Sequence, residues 1–344
     1  MKTSEWVSSG HPDKLADIVS EYILDRFMER DPAVRYALEV QIKDEFVTLS
    51  GEITTTYAYT QDDLRKWVKE AIRLVGYTRE YSLAWGAGNA LNAEEVVVEA
   101  HISSQSPDIS QGVDAQGWGD QGIFFGMCVD SPNTEDMPED CFFARAIGMS
   151  LYKDERCGLD VKTQVTMGKD GRILQVVAAA PLLDRRLTGQ LEDMIAAKCR
   201  KYRYGTPEDI IINGTGAYVR HSTMGDCGTT GRKLAVDFYG GNCEIGGGSP
   251  WSKDNTKADL TLNAYARHLA REYMSSTFTR YPVVKCRISC CIGRQELFVT
   301  FLDGFNNELA ETILVKSPRD TALQMMLTTP CMTNMCMIGL PYFV

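Results

Sequence analysis

The sequence predicts an α+β fold of three similar units, in which sheets pack under helices with pseudo-threefold symmetry. Three observations carry that prediction. Two extended runs followed by a helical run occur three times along the chain, and such a recurrence marks repeated supersecondary units. The spacing of the repeats is roughly 120 residues, an ordinary domain size. The 344 residues are 44% hydrophobic and 24% charged, the balance of a water-soluble globular protein. We expect units at 1–110, 111–220 and 221–344.

The elements follow from their periodicity. From Lys14, residues Leu15, Ile18, Val19, Tyr22, Ile23 and Phe27 recur at helical spacing, with Pro12 at a first helical position. "RYALEVQIK" and "FVTLSGEITTTY", joined by Asp44-Glu45, read as a hairpin. A helix follows with Leu64, Trp67, Val68, Ala71, Ile72 and Val75 on one face and Gly76 as its C-cap. In the middle, "VKTQVTM" and "RILQVVAAA" flank a turn at Gly168–Gly171, and Leu187–Tyr202 reads as a helix. Near the end, "VVKCRISCCIG" and "ELFVTFLDG" are followed by Glu308–Val315, taken as the third helix, after an earlier helix at Asp259–Thr277.

Composition excludes several classes. No apolar run approaches the roughly 20 residues of a membrane span. "MKTSEWVSSGHPDK" has no apolar signal region, so Asn213-Gly214-Thr215 carries no glycosylation reading. Eleven cysteines without a CxxC pair suit reduced thiols in a cytoplasm rather than disulfides or zinc. The net charge of −10, with no basic block, argues against nucleic acid.

Two stretches concentrate chemistry. "SSGHPDK" sets His11, Asp13 and Lys14 on the first turn of a helix, where free N–H groups favour an anion. Asp13 alone could equally be an acid placed to suit the helix dipole. The glycine-rich Thr223–Asp259 can close backbone N–H groups on phosphates. "GDCGTTGRKL" is not a Walker A loop, and "GWGDQG" lacks the preceding strand of a dinucleotide fingerprint. His101, His221 and His268 belong to no motif.

"GHPDK", "GEITT", "QSPDISQGVD", "GDQG", "DVKTQV", "MGDCGTTGRK", "DFYGG" and "KDNTKAD" occur in the order seen in S-adenosylmethionine synthetases. The resemblance runs from Ser4 to about Gly304. It implies three similar α+β domains and synthesis of S-adenosylmethionine from ATP and L-methionine, with tripolyphosphate released and cleaved to phosphate and pyrophosphate. A thioether sulfur has no proton to remove, so the reaction needs alignment and cations rather than a general base.

By resemblance, His11, Lys162, Arg232, Lys233 and Lys253 are catalytic and contact the triphosphate. Asp160, Asp226, Ser249 and Ile292 join them around ATP. Glu52, Gln105, Asp120, Asp226 and Lys257 match the methionine pocket. Asp13 and Asp259 resemble Mg2+ ligands, two ions in all, and Glu39 the K+ ligand. Related sites lie between subunits of a homodimer or a dimer of dimers.

Four departures stand out. Gly216-Ala217-Tyr218 replaces the family's Gly-Arg-Phe, with Arg220 nearby. "GGGSPWSKD" brings Pro250 and Trp251 into the glycine loop, expected near the phosphates and the monovalent cation. The link between "QGVD" and "GWGDQG" is short, and the chain stops at "LPYFV". A triphosphatase that makes no use of methionine, or a catalytically silent nucleotide-binding homologue, are the alternatives.

Overall fold

The computed structural model describes residues 1–104, 117–202, 204–276 and 281–344. Its strands are β1 (Lys2–Val7), β2 (Arg35–Lys43), β3 (Phe46–Thr54), β4 (Val97–Ser103), β5 (Gly122–Val129), β6 (Lys162–Met167), β7 (Ile173–Ala179), β8 (Asp209–Ile212), β9 (Gly228–Thr229), β10 (Val283–Cys290), β11 (Glu296–Asp303) and β12 (Glu308–Val315). Its helices are α1 (Pro12–Met28), α2 (Gln61–Val75), α3 (Arg79–Trp85), α4 (Glu139–Tyr152), α5 (Thr188–Lys201), α6 (Leu234–Asp237), α7 (Ala258–Ser276), α8 (Pro318–Gln324), α9 (Met332–Ile338) and α10 (Leu340–Phe343). No helix among the described residues is long and apolar enough to cross a membrane.

The strands form three four-stranded sheets, ordered β4-β3-β2-β9, β1-β6-β7-β8 and β12-β11-β10-β5. Each contains one of the three hairpins read from the sequence. The first hairpin turns at Asp44, which takes a left-handed φ of 52°. Thr60 and Asp63 cap α2 reciprocally, and Gly76 ends it at φ 114°, as its position predicts.

The sheets do not respect the linear boundaries 1–110, 111–220 and 221–344. β1 pairs with β6, so the N-terminal strand completes the middle sheet. β5 pairs with β10, and β9 with β2. Strand pairing is a long-range contact that periodicity within one segment does not encode. Glu308–Val315, expected as a helix, is instead an edge strand antiparallel to β11. Its β-branched Thr312, Ile313 and Val315 suit a pleated surface, and the free edge of β11 supplies the hydrogen bonds.

α7 lies close against β5. A Cβ on Gly126 would meet the Ala266 carbonyl carbon at 2.1 Å, so only glycine allows that approach. α1 is buried almost all round. Its apolar face meets the core with β2, β3 and α2. A second stripe, Asp13, Asp17, Glu21 and Asp25, recurs every four residues and is buried too. Each acid accepts backbone N–H groups from a distant segment: Thr229 at 2.9 Å to Asp13, Gly231 at 2.8 Å to Asp17, Ser252 at 2.6 Å to Glu21, and Met332 and Thr333, both at 2.9 Å, to Asp25. The glycine-rich segment and the start of α9 are thereby hung on α1.

Candidate active site

His11 is the N-cap of α1. Its Nδ1 accepts from the Asp13 N–H at 3.2 Å, which puts the ring proton of the neutral tautomer on Nε2. Burial, and then the Lys233 ammonium, push its pKa down to about 3. His11 is therefore a neutral donor, and Lys162 and Lys14 are close enough to add to the shift.

Burial alone would push Asp13 up, but hydrogen bonds from Lys233 and the Thr229 N–H hold its carboxyl below the usual range. Arg232 Nε lies 3.8 Å from the same carboxylate. Gly228 makes this contact feasible, since a Cβ there would strike the Pro12 carbonyl oxygen at 2.1 Å. Lys162, at the start of β6, pairs with Glu5 at 2.7 Å. Asp160 is buried, and its Oδ2 accepts from Tyr218 Oη at 2.7 Å and from the Ser222 N–H at 2.8 Å. The charges of Asp226 and Lys233 both act on it. His11, Asp13, Asp160, Lys162, Asp226, Arg232 and Lys233 thus form one cluster, where α1 begins.

The second cluster lies further along β2. Lys253 bridges to Ala37, which faces Glu52 across the β2–β3 ladder, so Glu52 and Lys253 share one row of the sheet. Lys253 is ion-paired with Asp259, whose Oδ1 also accepts from the Gly248 N–H at 2.8 Å. Trp118 bridges to Ile292, and Cys290 contacts the Asp120 carbonyl while sensing the Asp259 charge. Asp120 and Ile292 therefore belong to this cluster. Ser249 supports the loop by accepting from the Trp251 N–H at 3.1 Å. The first cluster meets β2 at Gln41, which pairs with Thr229. Ala37 and Gln41 are four residues apart, about 13 Å at the usual strand rise. Between them Glu39 accepts a hydrogen bond from the Thr230 hydroxyl.

Among the described residues, the expected methionine contacts divide between the clusters, with Asp120 and Glu52 in the second. Asp226 lies with the first. Lys257 is tied to Asp254 at 2.9 Å, and Gln105 lies outside the described residues. The expectation for Trp251 is corrected. Its side chain is fully buried, donating from Nε1 to Asp237 at 2.8 Å, with the Lys14 ammonium 4.6 Å above its ring. A large apolar ring with one donor is most stable in the interior against a carboxylate, so it leaves the loop surface to Ser249 and Lys253. The sequence motifs do not point to Tyr218 as a site residue. The tyrosine in Gly216-Ala217-Tyr218 was the available signal, because its hydroxyl needs a partner.

Among the described residues no three His, Cys, Asp or Glu side chains converge to hold a metal. Asp13 and Asp259 nevertheless suit Mg2+ that brings phosphate oxygens with it. Each is a hard carboxylate that already holds a lysine ammonium, a cation standing where another could bind. The cleft of about 960 Å3 lined by Arg35, Asn255, Ser317 and Arg319 contains none of these residues.

Lysines, an arginine and a neutral imidazole around a helix N-terminus are chemistry suited to an anionic substrate. The comparisons specify the family. The S-adenosylmethionine synthetase N-terminal domain matches residues 1–107, and the C-terminal domain matches 221–329. "S-adenosylmethionine synthase 2" of Rhodospirillum rubrum is 36% identical over 85% of this chain and 76% of its own. The synthase of Wolinella succinogenes is 36% identical over 80% and 73%. The solved structure described as an unusual S-adenosylmethionine synthetase from Campylobacter jejuni superposes with a TM-score of 0.86 at 28% identity, covering 100% of this chain and 96% of that one. The chain belongs to the S-adenosylmethionine synthetase family, and its activity is that of a methionine adenosyltransferase.

Proposed function

We propose that the two clusters, completing each other across a homodimer interface, bind ATP and L-methionine and carry the transfer. The methionine sulfur donates its lone pair to C5′ of ATP. The C5′–O bond breaks, and its electron pair leaves on the triphosphate, which water then splits into phosphate and pyrophosphate. The observation that carries the reading is the neutral His11 among Lys162, Arg232 and Lys233 at the N-terminus of α1. There, Nε2–H donates to the leaving 5′ oxygen while the three cations take up the developing charge.

Lys253 and Ser249 grip the far end of the triphosphate, Asp160 the ribose, and Ile292 the adenine. Glu52, Asp120, Asp226 and Lys257, with Gln105, hold the amino and carboxylate groups of methionine. Asp13 and Asp259 would hold Mg2+, which would supply charge neutralisation along the triphosphate. Lys233 and Lys253, paired with those same carboxylates, would then be available to phosphate oxygens. Glu39, which already takes the Thr230 hydroxyl as a donor, would hold K+. A dimer is supported by an exposed apolar row across one sheet, where Ile313 pairs with Phe298, Phe298 with Ser289 and Ser289 with Ile123. A reducing cytoplasm is supported by eleven free cysteines, none paired.

The test incubates the protein with ATP, methionine, Mg2+ and K+ and follows all three products, beside a His11→Ala control. Equal release of S-adenosylmethionine, phosphate and pyrophosphate, lost in the control, is expected. Phosphates without S-adenosylmethionine would establish a triphosphatase, and saturable ATP binding without turnover a silent homologue.

A further inference from the structure

We propose that Tyr218 is a positioning residue that clamps Asp160 for the ribose of ATP, backed by a hydrogen-bonded chain through His221 and Tyr81. The proposal rests on the reading of Asp160 as the ribose contact. The Tyr218 hydroxyl reaches the buried Asp160 carboxylate. It donates to Asp160 Oδ2 at 2.7 Å, and the Ser222 N–H donates to the same oxygen at 2.8 Å. Two donors on one oxygen fix the carboxylate plane, and among the described residues Oδ1 is left for a ribose hydroxyl.

The frame around the clamp is unusually determined. Ser222 is fully buried and held at φ 55°, a left-handed conformation that a non-glycine residue adopts only under constraint. The constraint is next door. His221 Nδ1–H donates to the Val219 carbonyl at 2.7 Å, which makes Nε2 the acceptor for Tyr81 Oη–H, also at 2.7 Å. Tyr81 Oη in turn accepts the Leu159 N–H at 2.9 Å, one residue before Asp160. The ring of Trp85 meets the imidazole edge-on at 4.8 Å. The chain therefore ties the backbone on both sides of the clamp together, residue 159 to residue 221.

The groups facing Asp160 are Tyr218, Asp226, Lys233, Tyr77 and Tyr81. Burial pushes the carboxyl up to about 6, against the hydrogen bonds from Tyr218 and Ser222 that favour its ionised form. Removing the phenol must raise it further, since one donor to the carboxylate is lost.

The experiment compares Tyr218→Phe, Tyr81→Phe and Asp160→Asn by steady-state kinetics with ATP, 2′-deoxy-ATP and 3′-deoxy-ATP across pH 5–9. Tyr218→Phe should raise the KM for ATP about 3- to 10-fold, less than the full effect of a hydrogen bond to a charged group because the loss reaches the ribose only through Asp160, with a much smaller change in kcat. The acid limb of kcat/KM for ATP should move to higher pH, and preference for ATP over one deoxy analogue should fall. Tyr81→Phe should show the same changes in weaker form. If Asp160→Asn leaves the ATP KM and deoxy preference at wild-type values, the ribose reading fails. If Asp160→Asn impairs both but Tyr218→Phe matches wild type in KM and pH profile, the ribose reading stands and the clamp is overturned. Lower thermal stability of Tyr218→Phe with those kinetic values intact would overturn it as well.

Discussion

At the scale of residues, this chain buries many charged and titratable groups, and their environments pull in opposite directions. Asp17 is fully buried, one of two carboxylates sharing Lys14, and burial pushes it up to about 7. The folded state then holds a proton that the unfolded chain has lost, so this group costs stability as pH rises from about 4 to 7. His221 is held neutral by burial, at about 4. Here the unfolded state binds the extra proton, and stability is lost as pH falls from 6.5 towards 4. Urea midpoints should separate the two. Asp17→Asn should gain on wild type with rising pH, by at most about 1.4 kcal/mol per unit, and His221→Gln should gain with falling pH. Parallel pH profiles for the variants and wild type would show that neither group titrates as its surroundings dictate.

Among the elements, α1 is the one on which the site depends. One face is an ordinary apolar stripe. The other carries four acids at four-residue intervals, about 6 Å apart along the axis, and each fastens a different part of the chain. Asp25 holds the start of α9 through the N–H groups of Met332 and Thr333 and the Thr333 hydroxyl at 2.6 Å. Asp25→Ala should cost about 2–4 kcal/mol, because two buried N–H donors lose their partner. Limited proteolysis should then cut near residues 325–331 before the rest of the chain. A variant that unfolds as wild type and resists cleavage would show that α9 is held by its apolar contacts with the core instead.

For the whole molecule, the arrangement of the clusters leads to the proposed two-chain site. Separate His11→Ala and Lys253→Ala dimers should each be inactive. After subunit exchange, the mixed dimer pairs one doubly damaged site with one intact site. Random exchange makes half the dimers mixed, so activity should return to about a quarter of wild type. No recovery, with exchange verified by mass, would mean that both clusters act within a single chain. Phe298→Glu with Ile313→Glu should separate the proposed dimer, and sedimentation would follow the change together with lost activity.

Much of this was legible in the sequence. The three hairpins, α1, α2, α5 and α7 follow from local periodicity, because apolar spacing and caps act over neighbouring residues. The candidate side chains were legible as motifs, since a triphosphate needs cations, glycine loops and hard acids that stand out in any linear string. What periodicity could not supply is which strand joins which sheet. β1, β5 and β9 each pair far from their own segment, and β12 became a strand because an edge was free to receive it. Nor could it show that Trp251 turns inward to Asp237, that Lys257 is held by Asp254, or that the Tyr218 hydroxyl lands on Asp160. Local pattern determined the elements and the chemical inventory of this chain. Tertiary structure alone decided pairing and partners, because a buried polar atom takes whatever complementary atom the fold brings within about 3 Å.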